Sequence, residues 1–278
     1  MQDAFAYCAK LVRTADRDRF VASLFAPARQ RQALHALYAF DVEIARVRDA
    51  AREPLPGEIR LQWWSEVLGG QRTEEAGANP VASALLEAIA RHGLVAARLI
   101  DLVAAHRFDL YDEPMLTLTD LEAYAGRTSS TVLSLAAQIL AGAEATQSAH
   151  HAGIASTIVS VLRLLPLHAA RRQLYVPIEL LERHGVSRED IFAGASSAGL
   201  NAALADLRSL ARGHLQALRE CVTELPREAL PAFLAVALLR PWLDRLDRRD
   251  AFALEAISPW RRQWLLWRAA RNPARIAG

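Results

Sequence analysis

Lysine is nearly absent from this 278-residue chain: Lys10 stands alone against 32 arginines. Asp and Glu number 31, so the formal net charge is only +2, which excludes a general nucleic-acid binder. Cysteine is scarce too. Cys8 and Cys221 lie far apart without metal-ligand spacing, as expected of two free thiols in a reducing compartment. Glycine (13) and proline (12) are few, and alternating strand patterns are almost missing. No stretch reaches the roughly 18 uninterrupted apolar residues of a membrane span, and the N-terminus shows no run of signal-peptide type. The expectation is a protein made and kept on the cytoplasmic side. Gly-x-Ser-x-Gly, Walker A, dinucleotide-binding glycine and His-Glu-x-x-His patterns are all absent, which removes most familiar enzyme signatures.

What is present is helix. Apolar residues make up 52% of the chain, Ala, Leu and Arg dominate, and helical periodicity runs almost throughout. Turn chemistry at 54–57, 69–70, 77–80, 112–114 and 194–199 breaks the pattern into about a dozen helices, the long ones over 28–50, 95–112, 147–169, 198–223 and 228–247. Thr119-Asp-Leu-Glu122 and Ser187-Arg-Glu-Asp190 read as helix N-caps. No long linker or fixed-period repeat occurs, so residues 1–278 are predicted to form a single all-α domain.

Several segments carry polar groups in suggestive spacing. In LHALYAFDVEIARVRDA (34–50), Leu34, Leu37, Tyr38, Asp41, Ala45 and Asp49 share one helical stripe. Asp41 and Asp49 are two turns, about 12 Å, apart, too far for one Mg²⁺ to be held by both. A solvated face with acids pairing Arg46 and Arg48 is the competing reading. HRFDLYDE (106–113) places His106, Asp109 and Asp112, with Glu113 following, where His-x-x-Asp-x-x-Asp could hold a metal or simply charge a helix end. The hydroxyls of Thr128, Ser129 and Ser130 fall at a predicted helix start, where capping accounts for them. The tail SPWRRQWLLWRAARNPARIAG (258–278) puts Trp260, Trp264 and Trp267 on one helical face among arginines. That suits a membrane interface, and equally tryptophans packed on the domain's own core.

Six segments in this order resemble the squalene/phytoene synthase family of head-to-head prenyltransferases: FVASLFAPARQRQALHALYAF (20–40), RLQWWSEVLGG (60–70), NPVASALLEAI (79–89), DLEAYAGRTSSTVL (120–133), GIASTIVSVLR (153–163) and RRQLYVPIELLERHGVSREDI (171–191). The resemblance implies one isoprenoid-synthase-type helical domain around a central cavity. It also implies two Asp-x-x-x-Asp motifs on facing helices, holding the Mg²⁺ that neutralises the substrate diphosphates.

Carried onto this chain, the first motif is Ala45-Arg46-Val47-Arg48-Asp49, with only its final acid kept. The second, Ser160 to His168, has Leu164 and His168 at its acid positions. The Gly-Arg-x-Tyr-x-Pro that follows reads Arg172-Gln173-Leu174-Tyr175-Val176-Pro177, and an arginine expected one turn before the first motif is Val42. Tyr38, Asp49, Arg163, Arg171 and Tyr175 remain as candidates to contact a diphosphate or other ligand. Asp49 is the one weak metal candidate, with Asp41 a conceivable substitute for Ala45. No catalytic residue and no cofactor is expected; Mg²⁺ enters only if the chain is a prenyltransferase after all.

Within the family the pattern is most similar to the branch of the mitochondrial respiratory complex I assembly factor, in AFDVEIARVRD, RLQWW and LRLLPLHAARRQLYVP. That likeness implies a catalytically silent protein whose partners are complex I subunits or assembly intermediates. Its location would be the bacterial cytoplasm, peripheral at the inner membrane. The alternatives are a squalene/phytoene-type condensation of isoprenoid diphosphates, or an isoprenoid- or lipid-binding protein using the old cavity. The large side chains at 164, 165 and 167 are expected to fill that cavity in part.

Overall fold

The computed structural model describes residues 2–278 except 52, 144 and 255, and among these it contains helices and turns but no strand. The N-terminal segment forms α1 (Gln2–Ala15), α2 (Arg17–Ser23), α3 (Ala28–Ala45) and the single turn α4 (Val47–Ala50). Next come α5 (Pro54–Leu68), α6 (Thr73–Ala78), α7 (Pro80–His92) and α8 (Ala96–Ala105). The middle of the chain supplies α9 (Leu118–Ala125), α10 (Thr131–Ala141), α11 (Thr146–Arg163) and α12 (Leu165–Ala170). The remainder is α13 (Ile178–Arg183), α14 (Arg188–Phe192), α15 (Ala198–Cys221), α16 (Leu230–Phe233), α17 (Leu239–Leu246) and α18 (Pro259–Arg271).

Helix α10 is the axis of the packing, because it is apolar on every side. Val132, Leu133, Leu135, Ala136, Ala137, Ile139 and Leu140 are all buried, which a helix sustains only when neighbours surround it. Those neighbours are α3 on one side and α11 on the other; α1 and α7 back α3, while α15 and α17 back α11. Helix α15 shows why it lies outside. Its buried residues Leu200, Ala203, Leu204, Leu207, Ala211, Leu215 and Leu218 follow three- and four-residue spacing along one stripe. Where α11 crosses the segment before α10, only Gly153 fits. A Cβ there would stand 2.1 Å from Ser130 Oγ and 2.5 Å from Ser130 N.

Several predicted helices prove to be two. Helix α3 ends at Arg46 (φ −96°, ψ 1°) rather than running to 50, and α11 ends at Leu164 (φ −95°, ψ 5°) rather than running to 169. Pro166 explains the second break, since it has no N–H for the carbonyl four residues back. No proline or glycine marks the break at Arg46. The predicted helix over 95–112 stops at Ala105 and continues as a 3₁₀ turn, His106–Leu110. The stretch 228–247 is broken by 3₁₀ turns at Arg227–Ala229 and Leu234–Leu238.

The capping box at Ser187–Asp190 forms as predicted. The other predicted N-cap is displaced: Thr117, not Thr119, caps α9 and pairs reciprocally with Asp120. Thr128, Ser129 and Ser130 cap nothing, because α9 runs into α10 through a π-turn, Gly126–Ser130. Their hydroxyls reach other partners: Thr128 donates to the Tyr124 carbonyl (2.7 Å), Ser129 pairs with Thr157 (2.9 Å) and Ser130 donates to the His150 carbonyl (3.3 Å). The last two bonds tie α11 to the turn. Cys8 and Cys221 are free and buried, and burial pushes the Cys8 thiol up to about 12.

Candidate functional site

The two degenerate motifs lie where α3 gives way to α4 and α11 gives way to α12, so each is split by a helix break. The breaks change which way the motif residues face. Ala45 and Asp49 are exposed, Leu164 is 41% exposed and Leu167 40% exposed, while Leu165 is buried. Leu164 and Leu167 thus do not fill a central cavity, contrary to expectation; the break turns them to solvent. Asp49 is not free. Arg171 Nη1 donates to its Oδ1 at 2.5 Å, across from the other motif. Arg48 pairs with Asp112 at 3.2 Å.

A second ionic cluster sits deeper, between α2 and α3. Arg19 lies 2.5 Å from Asp16 and 2.7 Å from Asp41, with its guanidinium 5.0 Å over the Tyr38 ring. Burial works against ionising Asp16, but the Arg19 charge and backbone N–H prevail and hold its carboxyl below the usual range. Arg262 from α18 clamps Asp18 through two bonds, Nε at 2.8 Å and Nη2. Asp41 therefore does not stand in for Ala45 as a metal ligand, because it is committed to Arg19. Tyr38 is buried beneath the same arginine.

A third network centres on Asp109. His106 Nδ1 lies 2.6 Å from Asp109 Oδ2. Tyr175 donates to Oδ1 at 2.7 Å, and Tyr124 reaches both oxygens at 3.0 and 3.1 Å. Gln173, at the position of the family's arginine, donates to the Asp109 carbonyl at 2.9 Å. Burial and the Asp109 charge together push both tyrosine hydroxyls well above their ordinary value. For His106, burial opposes protonation, but the neighbouring carboxylate outweighs it and the imidazole is raised. His168 packs on the Tyr175 ring, centroids 4.5 Å apart, and burial, aided by Arg171, lowers it to about 4. His106, Asp109, Asp112 and Glu113 do not converge on a metal: Asp112 turns out to Arg48, and Glu113 lines a separate surface cleft.

What remains of the central space is a cavity of about 240 Å³, lined by Asp16, Asp18, Arg19, Asp41, Ser129, Ser156, Ser160, Arg163 and apolar residues of α10, α11 and the 232–239 segment. Of the five candidate ligand residues, only Arg163 faces it. Its guanidinium stacks 3.8 Å over the Trp242 ring, and its Nε is buried without a hydrogen-bond partner. Drug-sized ligands occupy pockets of roughly 300–1,000 Å³, so this space is small for two prenyl chains. Sequence reasoning did not single out Arg19 or Tyr124. Tyr124 lies inside a segment that carries the family resemblance, whereas Arg19 precedes all six.

One helical domain, with paired helices interrupted over a buried cleft, defines an isoprenoid-synthase-type fold. Residues 12–268 match the squalene/phytoene synthase family, and the chain belongs to it. It is 33% identical over 250 residues to complex I assembly factor 6 of Rattus norvegicus, covering 89% of this chain and 75% of that one. The human counterpart is likewise 33% identical, over 246 residues, covering 88% of this chain and 74% of that one. The 15-cis-phytoene synthase of Synechococcus elongatus is 24% identical over 285 residues, covering 94% and 91%. A crystal structure of a dehydrosqualene synthase in complex with ligand superposes with a TM-score of 0.82 at 20% identity, over 97% of this chain and 96% of that one, which shows the shared fold.

Magnesium is the group this fold implies, and the residues here do not fit it. Mg²⁺ takes near-octahedral oxygen donors, chiefly carboxylates and waters. The four motif positions offer an exposed methyl (Ala45), an exposed isobutyl group (Leu164), a half-buried imidazole (His168) and one carboxylate already bound by Arg171. His106, Asp16 and Asp41 are likewise held by charged partners.

Proposed function

We propose that this protein is a non-condensing member of its family that assists assembly of respiratory complex I, acting at the cytoplasmic face of a bacterial inner membrane. The observation that carries the reading is the Asp49–Arg171 pair: an arginine takes the only motif carboxylate left. The likeness to complex I assembly factor 6 at 33% identity supplies the partner class, subunits or assembly intermediates of that complex.

Membrane contact is supported by α18. Trp260, Trp264 and Trp267 are all exposed, so they are not absorbed into the core, and Arg268 and Arg271 lie over the Trp264 and Trp267 rings at 4.2 and 4.5 Å. Aromatic bodies with cationic heads suit the boundary between headgroups and acyl chains. No described helix is long and apolar enough to cross a membrane.

Deleting the gene should reduce fully assembled complex I on native gels, with NADH:quinone oxidoreductase activity falling in parallel. Purified protein with farnesyl diphosphate and Mg²⁺ should release no diphosphate. Metal-dependent release would overturn the non-condensing reading and favour a prenyltransferase.

A second reading rests on Arg163. A half-buried guanidinium with a buried, unpartnered Nε, lining a small cavity together with Ser160, is equipped to hold the polar head of one isoprenoid or lipid. Native mass spectrometry of the purified chain detects such a ligand directly.

A further inference from the structure

Away from the motifs, α9, α11 and α15 bring together three imidazoles and one carboxylate that none of the readings above uses. His150 and His151 lie near the start of α11, and His214 faces them from α15. One ligand-capable nitrogen from each falls within 4.8 Å of the other two. His151 Nδ1 and His214 Nδ1 are 3.0 Å apart, and His214 Nε2 faces Glu122 Oε1 of α9 at 3.4 Å. His151 and the motif end of α11 at Arg163 are twelve residues, about 18 Å, apart along the helix, so this cluster is separate from the site of the family's acids.

The hydrogen-bond chemistry of the cluster is directional. A carboxylate only accepts, so Glu122 calls for the Nε2–H tautomer of His214. That leaves the His214 Nδ1 lone pair aimed at His151. A carboxylate behind an imidazole whose other nitrogen points at further imidazoles is the arrangement that orients histidine ligands on zinc. Zn–N bonds of about 2.0–2.1 Å at tetrahedral angles place nitrogens a little over 3 Å apart, close to the His151–His214 separation. His150 is exposed, and its ring can close the remaining distance by side-chain rotation.

We propose that His150, His151 and His214 form a binding site for a borderline divalent cation such as Zn²⁺, with Glu122 as the positioning residue on His214 and a fourth position open to solvent. Three imidazoles suit zinc, copper or nickel and disfavour Mg²⁺ and Ca²⁺, which take oxygen. Binding through His151 Nδ1 leaves the proton of that neutral imidazole on its Nε2, and the metal joins α11 to α15.

The test uses the full chain without a histidine tag, stripped with chelator and titrated with Zn²⁺ by calorimetry, and with Co²⁺ by visible absorption. The expected result is one Zn²⁺ per chain with a micromolar or tighter Kd, a tetrahedral Co²⁺ spectrum, a higher Tm with metal, and no response to Mg²⁺. His151→Ala with His214→Ala should weaken binding at least 100-fold, and Glu122→Gln by about 10- to 100-fold. His150→Ala, at an exposed position that leaves the fold intact, should weaken binding and abolish the tetrahedral Co²⁺ spectrum. Absence of stoichiometric Zn²⁺ binding, or equal affinity in His150→Ala or in the double variant, would overturn the proposal. Unchanged affinity in Glu122→Gln would remove the role given to Glu122.

Discussion

Arg171 donates from Nη1 to Oδ1 of Asp49 at 2.5 Å, joining the residue after α12 to the end of α4. In a metal-dependent relative, the same two motifs would be bridged through cations held between carboxylates. Here one direct ion pair makes the connection. Both partners are substantially exposed, at 37% and 47% of their side chains, so the link is a weak one. Asp49→Asn and Arg171→Gln should each change unfolding free energy by less than about 1 kcal/mol, measured by urea denaturation. A larger loss would mean that the pair is a structural clamp.

The Asp109 network is the opposite case. Its carboxylate is buried and accepts from Tyr124, Tyr175 and His106 together. Removing it leaves three buried polar groups unmatched, so Asp109→Ala should cost about 3–5 kcal/mol, the range for breaking a buried ion pair. Tyr175→Phe removes one bond to a charged acceptor and should cost about 1.5–3 kcal/mol. Equal losses in the two variants would show that Tyr175 alone carries the network.

His168 gives the fold an acid sensitivity whose sign follows from its burial. Its folded value is lowered to about 4 from an ordinary 6.5. Above pH 6.5 the ring is neutral in folded and unfolded chains alike. As pH falls from 6.5 towards 4, the unfolded chain takes up a proton that the folded chain refuses, and stability drops by up to about 1.4 kcal/mol per pH unit. His168→Phe keeps a ring against Tyr175 and should flatten this part of the Tm–pH curve by about one proton. His35, also lowered to about 4, keeps part of the slope in the variant. His106 acts in the other direction: its raised value stabilises the fold most below 6.5, and the contribution fades as pH rises.

Gly153→Ala tests the crossing of α11 against the π-turn. The added methyl would meet the backbone nitrogen of Ser130 as well as its side chain, so rotating Ser130 does not relieve it. A loss of about 1–3 kcal/mol or more is expected, the scale of overpacking in a tight core. A variant as stable as the parent would show that α11 shifts freely there.

The exposed tryptophans predict binding to vesicles containing anionic lipid, seen by co-sedimentation and a blue shift of fluorescence. Replacing Trp260, Trp264 and Trp267 by serine should abolish sedimentation, and high salt should weaken it by screening the arginines. Unchanged sedimentation of the triple variant would sink the membrane role of α18.

The helices were legible in the sequence because periodicity and turn residues report directly on local structure. Ser187–Asp190 shows the kind of signal that does this, and Pro166 is a mark of the same kind that the predicted 147–169 helix runs through. The break at Arg46 carries no such mark. Leu164 is itself the residue at which α11 breaks, and its exposure follows from backbone geometry that the motif spacing does not carry. Partners distant in sequence were hidden for a different reason. Nothing local to Arg19 says that it will meet Asp41 across two helices, and His151 and His214 become neighbours only when α11 packs on α15. The candidate positions at 38, 49, 163, 171 and 175 follow from the resemblance; which of them face the cavity is decided by tertiary packing.

The positions flanking the two helix breaks also bear on what acids introduced into the motifs would do. Aspartates at 45 and 164 would stand at exposed positions, and one at 168 would be half-buried against Tyr175. A metal cluster at these motifs would need acids at all three positions and Asp49 released from Arg171. No single substitution supplies that set, so one acid placed at 45, 164 or 168 should leave Mg²⁺ binding undetectable by calorimetry.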